Sequence, residues 1–179
     1  LADADLELAA ETCAAARLIN SGQSCASAKR FIVARPVRRD FERLVMARLA
    51  ARRTGDPADP ANDVGPLART DLRENLHRQI TASIRRGARP LLGGAPLPGR
   101  GFFYATTLLT DVRPGMPAAD EELFGPAAAI LVARDDADAV RLANATPYGL
   151  GAAIFTRSAR RARELAPQLD AGFVALNTF

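Results

Sequence analysis

At 179 residues the chain can bury a substantial core, and one domain is the expectation. Hydrophobic residues make up 48% of it, an ordinary share for a globular protein, and no apolar run approaches the ~20 residues that a membrane-spanning helix needs. The net charge of +4 rests almost wholly on arginines interspersed with acids, as at Asp71, Arg73 and Glu74. That pattern describes a solvated surface and argues against a nucleic-acid or membrane partner. Cys13 and Cys25 are too few for a disulfide framework and suit a reducing cytoplasm, and with one histidine they give no metal-ligand spacing. The amino terminus, LADAD, has neither the basic region nor the apolar stretch of a signal peptide and no initiating Met, so a chain cut from something longer is expected.

Residues 3–19 read as a helix, with Leu6, Ala9, Ala10, Cys13 and Arg17 at helical spacing and acids in the first turn. Cys13 falls on the apolar stripe, where packing is its expected role. Residues 30–34 read as a strand, and Pro36 leads into a helix with Phe41, Leu44, Val45 and Leu49 on one side. A loop rich in Asp, Pro and Asn follows. Thr70 is then the expected N-cap of a helix with Leu72, Leu76, Ile80 and Ile84 every four residues, ended by Gly87. His77 lies off that stripe and reads as a surface residue. Strands are expected at 91–92, 102–109, 127–132, 151–156 and 172–176, with helices at 135–144 and 158–169. Strands alternating with helices give an α/β fold with a largely parallel sheet flanked by helices.

One short stretch stands apart. NSGQSC at 20–25 places a cysteine directly behind small and amide-bearing residues, at the junction between a helix and a strand. Junction loops of this kind are where functional side chains are presented, whereas a structural cysteine more often sits inside an apolar run.

Four local patterns then fall in one order: NSGQSC at 20–25, GDP at 55–57 with DVGPL at 63–67, EELFGP at 121–126, and YGLGAAIFT at 148–156, closed by GFVALN at 172–177. Over essentially all its length the chain resembles the three-layer, thiol-bearing catalytic domain of aldehyde dehydrogenases. GQSCASAKRFIV and DLRENLHRQITASIRRGARPLLGG are similar to the bacterial succinate-semialdehyde group. The resemblance implies that Cys25 is the nucleophile, that Glu122 binds the ribose of the nicotinamide half of NAD or NADP, and that Phe124 packs near the nicotinamide. It implies a small aldehyde as substrate and a homodimer or homotetramer as the intact assembly. An aldehyde carbon gives up hydride only after a nucleophile adds, and a free thiol with pKa near 8.5 is only about 3% ionised at pH 7.

Departures from the pattern are as informative. Resembling proteins carry their general base in a Glu-Leu-Gly-Gly segment ahead of the DADLE-like stretch with which this chain starts. The dinucleotide-binding domain, which would hold most of the cofactor, and the Gly-rich tail are likewise not among residues 1–179, and Gly99-Arg100-Gly101 is a loop, not a dinucleotide fingerprint. The isolated chain is therefore expected to be inactive. Ile19 stands where some succinate-semialdehyde enzymes place an arginine for the substrate carboxylate, and Ser27 where some relatives hold a second cysteine. A competing reading, a non-catalytic Arg-rich interaction or nucleic-acid-binding module, would want a basic stripe with interleaved aromatics, which the sequence lacks.

Overall fold

In the computed structural model, which describes residues 1–179, Asp5 caps the first helix, α1 (Leu6–Leu18), by accepting the Leu8 N–H at 3.1 Å. After β1 (Arg30–Ala34), a 3-10 turn at Arg35–Val37 uses the fixed φ of Pro36 to start α2 (Arg38–Ala50). Then follow α3 (Thr70–Arg85), β2 (Arg89–Leu92), β3 (Thr107–Thr110), the single turn α4 (Pro117–Asp120) and β4 (Ala127–Ala133). The chain ends with α5 (Asp136–Asn144), β5 (Ala152–Ile154), α6 (Ala159–Leu165) and β6 (Val174–Leu176). No helix is long and apolar enough to cross a membrane.

The main sheet has the order β1-β4-β3-β2, with β1, β4 and β3 parallel and only β2 antiparallel. β5 and β6 form a separate parallel pair. The near-continuous apolar run AAAILVA of β4 is what a strand covered on both faces requires. Because side chains alternate along a strand, Ala127, Ala129, Leu131 and Ala133 enter one core with Leu76 and Ile80 of α3 and Leu142 of α5. Ala128 and Ile130 enter the other, with Ala10 and Ala14 of α1 and Val45 and Leu49 of α2. Helices, sheet, helices: the expected three layers are present.

Several expectations are corrected in detail. The strand expected at 102–109 begins only at Thr107, because its parallel partner begins at Ala127. Thr107 N–H donates to Pro126 O at 2.8 Å, whereas the residues before it turn to another partner: Tyr104 forms an isolated antiparallel bridge with Pro96, and Ala105 N–H donates to Ala95 O at 3.0 Å. Arg69, not Thr70, occupies the cap position of α3, and makes no side-chain capping bond. The helix expected at 158–169 gives way at Ala166–Gln168 to a 3-10 turn, where Pro167 has no N–H to donate. His77 is half-buried and not a surface residue, its Nδ1 lying 3.0 Å from the Tyr104 hydroxyl. The turn α4 carries no periodicity long enough to read from sequence.

Where β4 passes into α5, Asp135 accepts the Asp138 N–H at 2.8 Å. The buried Asp138 carboxylate accepts from the Arg134 guanidinium at 3.0 Å, the Arg134 backbone N–H at 3.1 Å and Arg141 at 2.7 Å. The Arg134 guanidinium, followed by the Arg134 N–H and Arg141, holds this carboxyl well below the usual carboxylate range. A carboxyl depressed by folding contributes stability in full above its unfolded pKa of about 3.9, and that contribution fades as pH falls further. Asp138→Asn is therefore expected to lower the urea midpoint at neutral pH and to converge on the wild type in acid. A midpoint difference that stays constant across the pH series would exclude this role.

Candidate active site

The loop that leaves α1 turns through three residues with positive φ: Asn20 at 49°, Ser21 at 56° and Gly22 at 76°. Left-handed backbone is costly for serine, and the loop offsets the cost with directed hydrogen bonds. Asn20 Nδ2 donates to Gln23 O at 3.1 Å, and Ser21 Oγ accepts the Gly65 N–H at 2.8 Å. The Gln23 amide donates to Pro66 O at 3.2 Å and accepts from Ala68 N–H at 2.8 Å. NSGQ is thus fastened to DVGPL and to Ala68 just beyond it.

The same loop is fastened to EELFGP. A Cβ at Gly22 would overlap the Gly125 carbonyl and also crowd the Arg17 guanidinium, so two glycine backbones and a buried arginine meet with no room for a side chain. Arg17 donates to Gly22 O at 2.6 Å, while its Nε and Nη1 have no partner. Burial brings this guanidinium down to about 10, with the Glu122 charge acting in the opposite direction.

Cys25 sits exposed on the turn these contacts create. Beneath it, Lys29 Nζ donates to the carbonyls of Ser24 (3.1 Å), Cys25 (3.1 Å) and Ser27 (3.0 Å), and pairs with Glu122 Oε1 at 3.1 Å. Burial lowers the Lys29 ammonium pKa, and the bond to Glu122 opposes that shift. The two adjacent glutamates diverge. Glu121 accepts from Gln79 at 3.0 Å and Arg78 at 2.9 Å, bonds that depress its carboxyl, whereas Glu122 turns to Lys29. Cys25, Lys29 and Glu122 all line a cavity of about 650 Å³, walled on its apolar side by Phe31, Tyr148, Leu150 and Phe173.

Known proteins resemble the chain over its whole length. The sequence model of the "Aldehyde dehydrogenase family" matches residues 1–179. The chain belongs to the aldehyde dehydrogenase family. It is 46% identical over 179 residues to the NAD(P)+ succinate semialdehyde dehydrogenase Sad of Escherichia coli, covering 100% of this chain and 39% of that protein. Among solved structures, lactaldehyde dehydrogenase from Escherichia coli superposes with a TM-score of 0.96 at 33% identity, covering 99% of this chain and 37% of that one. A Mycobacterium tuberculosis aldehyde dehydrogenase complexed with NAD+ superposes at 0.95 with 31% identity, covering 100% and 38%. The chain therefore spans about two-fifths of the length of the curated relatives it matches.

Of the residues singled out in the sequence, Cys25 and Glu122 share one cavity. Phe124 is partly buried in the same loop as Glu122 and does not line that cavity. Ile19 is exposed, and Arg17, the nearest arginine in sequence, is committed to the Gly22 carbonyl. Sequence reasoning missed Lys29, although it is the single lysine in a chain whose other cations are all arginine. It also missed Ser21 and Gln23 as anchors, because their partners lie more than 40 positions away.

Cys13 is half-buried against the α1–α2 core, where burial pushes its thiol up to about 12. At pH 8 only about one such thiol in 10⁴ is ionised. Brief iodoacetamide treatment of the native chain at pH 8 is expected to label Cys25 and spare Cys13, with both labelled in urea. Peptide mass spectrometry that found Cys13 modified first would contradict the burial argument.

Proposed function

We propose that residues 1–179 form the thiol-bearing catalytic domain of an NAD(P)-dependent aldehyde dehydrogenase, with succinate semialdehyde as the candidate substrate. The observation that carries this reading is the meeting of Cys25 and Glu122 in one cavity, in a chain whose whole length matches that family. The resemblance to a succinate semialdehyde dehydrogenase at 46% identity supports the substrate. The general base and the domain that holds most of the cofactor lie outside these residues in this reading, and the intact enzyme works as a homodimer or homotetramer.

Glu122 suits the diol of a nicotinamide ribose. One carboxylate oxygen is fixed by Lys29, the other is left without a protein donor, and an ionised carboxylate accepts from hydroxyls. Bound NAD(P) would supply the hydride acceptor. The chain's own part is nucleophilic. The Cys25 thiolate adds to the aldehyde carbon, and the carbonyl π electrons move to oxygen. After oxidation Cys25 carries the acyl group as a thioester, which water releases as the carboxylate, returning the thiolate.

Cys25→Ala in the intact enzyme is expected to abolish both aldehyde oxidation and ester hydrolysis. Glu122→Gln removes a charge-assisted contact of about 1.5–3 kcal/mol and is expected to slow oxidation roughly 10- to 100-fold. Ester hydrolysis, which needs no hydride, should suffer less. Equal losses in the two activities would remove Glu122 from cofactor positioning, and survival of oxidation in Cys25→Ala would remove the proposed mechanism.

The purified 179-residue chain by itself is expected to produce no NADH from an aldehyde, since a nucleophile without its base forfeits most of its rate enhancement. Any thiol-dependent NADH signal from it would show that the base lies within these residues.

A further inference from the structure

Lys29 is the only lysine in the chain, and its position is unusually constrained. Its backbone stands at the entrance to β1, where its carbonyl accepts the Ala129 N–H of the central strand at 3.0 Å. The next residue, Arg30, is anchored through its guanidinium to Leu142 O (2.9 Å) and Ala143 O (2.7 Å) at the end of α5. From this rigid base the side chain, only 16% exposed, runs beneath the Cys25 turn. An ammonium group has three donors, and here four acceptors lie within 3.1 Å: the carbonyls of Ser24, Cys25 and Ser27 and the Glu122 carboxylate. No other side chain forms hydrogen bonds or ion pairs with both the loop of the proposed nucleophile and the carboxylate proposed for the cofactor.

We infer that Lys29 is a positioning residue that ties the Cys25 loop to Glu122, so that the thiol and the nicotinamide ribose are held at a fixed separation by one cation. The inference rests on the proposed roles of Cys25 and Glu122. Without the ammonium, three carbonyl dipoles and a carboxylate would face one another with no donor between them, and both the turn and the carboxylate rotamer would relax. The thiol would then sit off line from the bound aldehyde, and Glu122 off line from the ribose. A shift of about 1 Å at a reacting group can cost on the order of 100-fold in rate.

The test uses the intact enzyme, with rates normalised to iodoacetamide-reactive Cys25 so that loss of folded protein does not count. Lys29→Met is expected to lower the turnover number for oxidation about 10-fold or more and to raise the cofactor KM. It should also lower ester hydrolysis, which Glu122→Gln largely spares. Lys29→Arg, which retains the charge, should recover most of the loss. In a double-mutant cycle with Glu122→Gln, the effects on cofactor KM should be non-additive, because the two residues share one contact. If Lys29→Met yields no reactive thiol, Lys29→Gln carries the same measurements.

Rates and cofactor KM within about twofold of wild type in Lys29→Met, or an additive cycle, would overturn the inference. Cys25→Ala run in parallel separates the two levels. If that variant still oxidises aldehyde, the reading of the site fails and the role of Lys29 with it. If it is inactive while Lys29→Met is unaffected, only the role of Lys29 fails.

Discussion

The site depends on a close approach that glycine at position 22 permits, where the backbone of Gly22 lies against the Gly125 carbonyl and beside the buried Arg17 guanidinium. This contact brings a loop from residues 20–25 onto a loop from residues 121–126, a separation of about a hundred positions that no local interaction could span. Any side chain at Gly22 would have to displace the Gly125 carbonyl, and its φ of 76° would be strained in any other residue as well. Once the two loops touch, the thiol of one and the carboxylate of the other open onto a common cavity.

The electrostatics under that contact follow from it. Arg17 and Lys29 are both withdrawn from water near a single carboxylate, Glu122, so the ground beneath the turn is cationic by one charge. Burying a cation is costly unless acceptors meet it, and the loop that carries Cys25 supplies three backbone carbonyls to Lys29 and one, that of Gly22, to Arg17. The loop shape and the buried charges therefore support each other. Removing the cations would leave the carbonyls without donors, and opening the loop would leave the cations without acceptors.

Rigidity comes from the layer below. β4 is buried on both faces and pairs in parallel with β1 on one side and β3 on the other, so the points where Lys29 enters β1 and Gly125-Pro126 enter β4 are fixed by one ladder. The antiparallel β2 closes the far edge without approaching the site. Functional loops at the ends of buried strands combine precise placement at their base with an exposed tip, the combination a nucleophile needs.

What the sequence by itself determined is what local chemistry determines. Apolar periodicity located α1, α2 and α3, the apolar run at 127–132 marked a strand, and NSGQSC and EELFGP marked the two loops. Such signals survive because they are written within a few residues of one another. Tertiary structure decided the rest. Nothing local distinguishes Glu121 from Glu122, yet one turns to Gln79 and Arg78 and the other to Lys29. The start of β3 waits on its partner strand, His77 is half-buried because Tyr104 lies opposite, and Lys29, whose three carbonyl acceptors are local, gains the Glu122 carboxylate only when a distant loop closes on its own. Each of these depends on which groups the fold brings within about 3 Å, a distance at which hydrogen bonds and ion pairs act and which sequence separation does not encode.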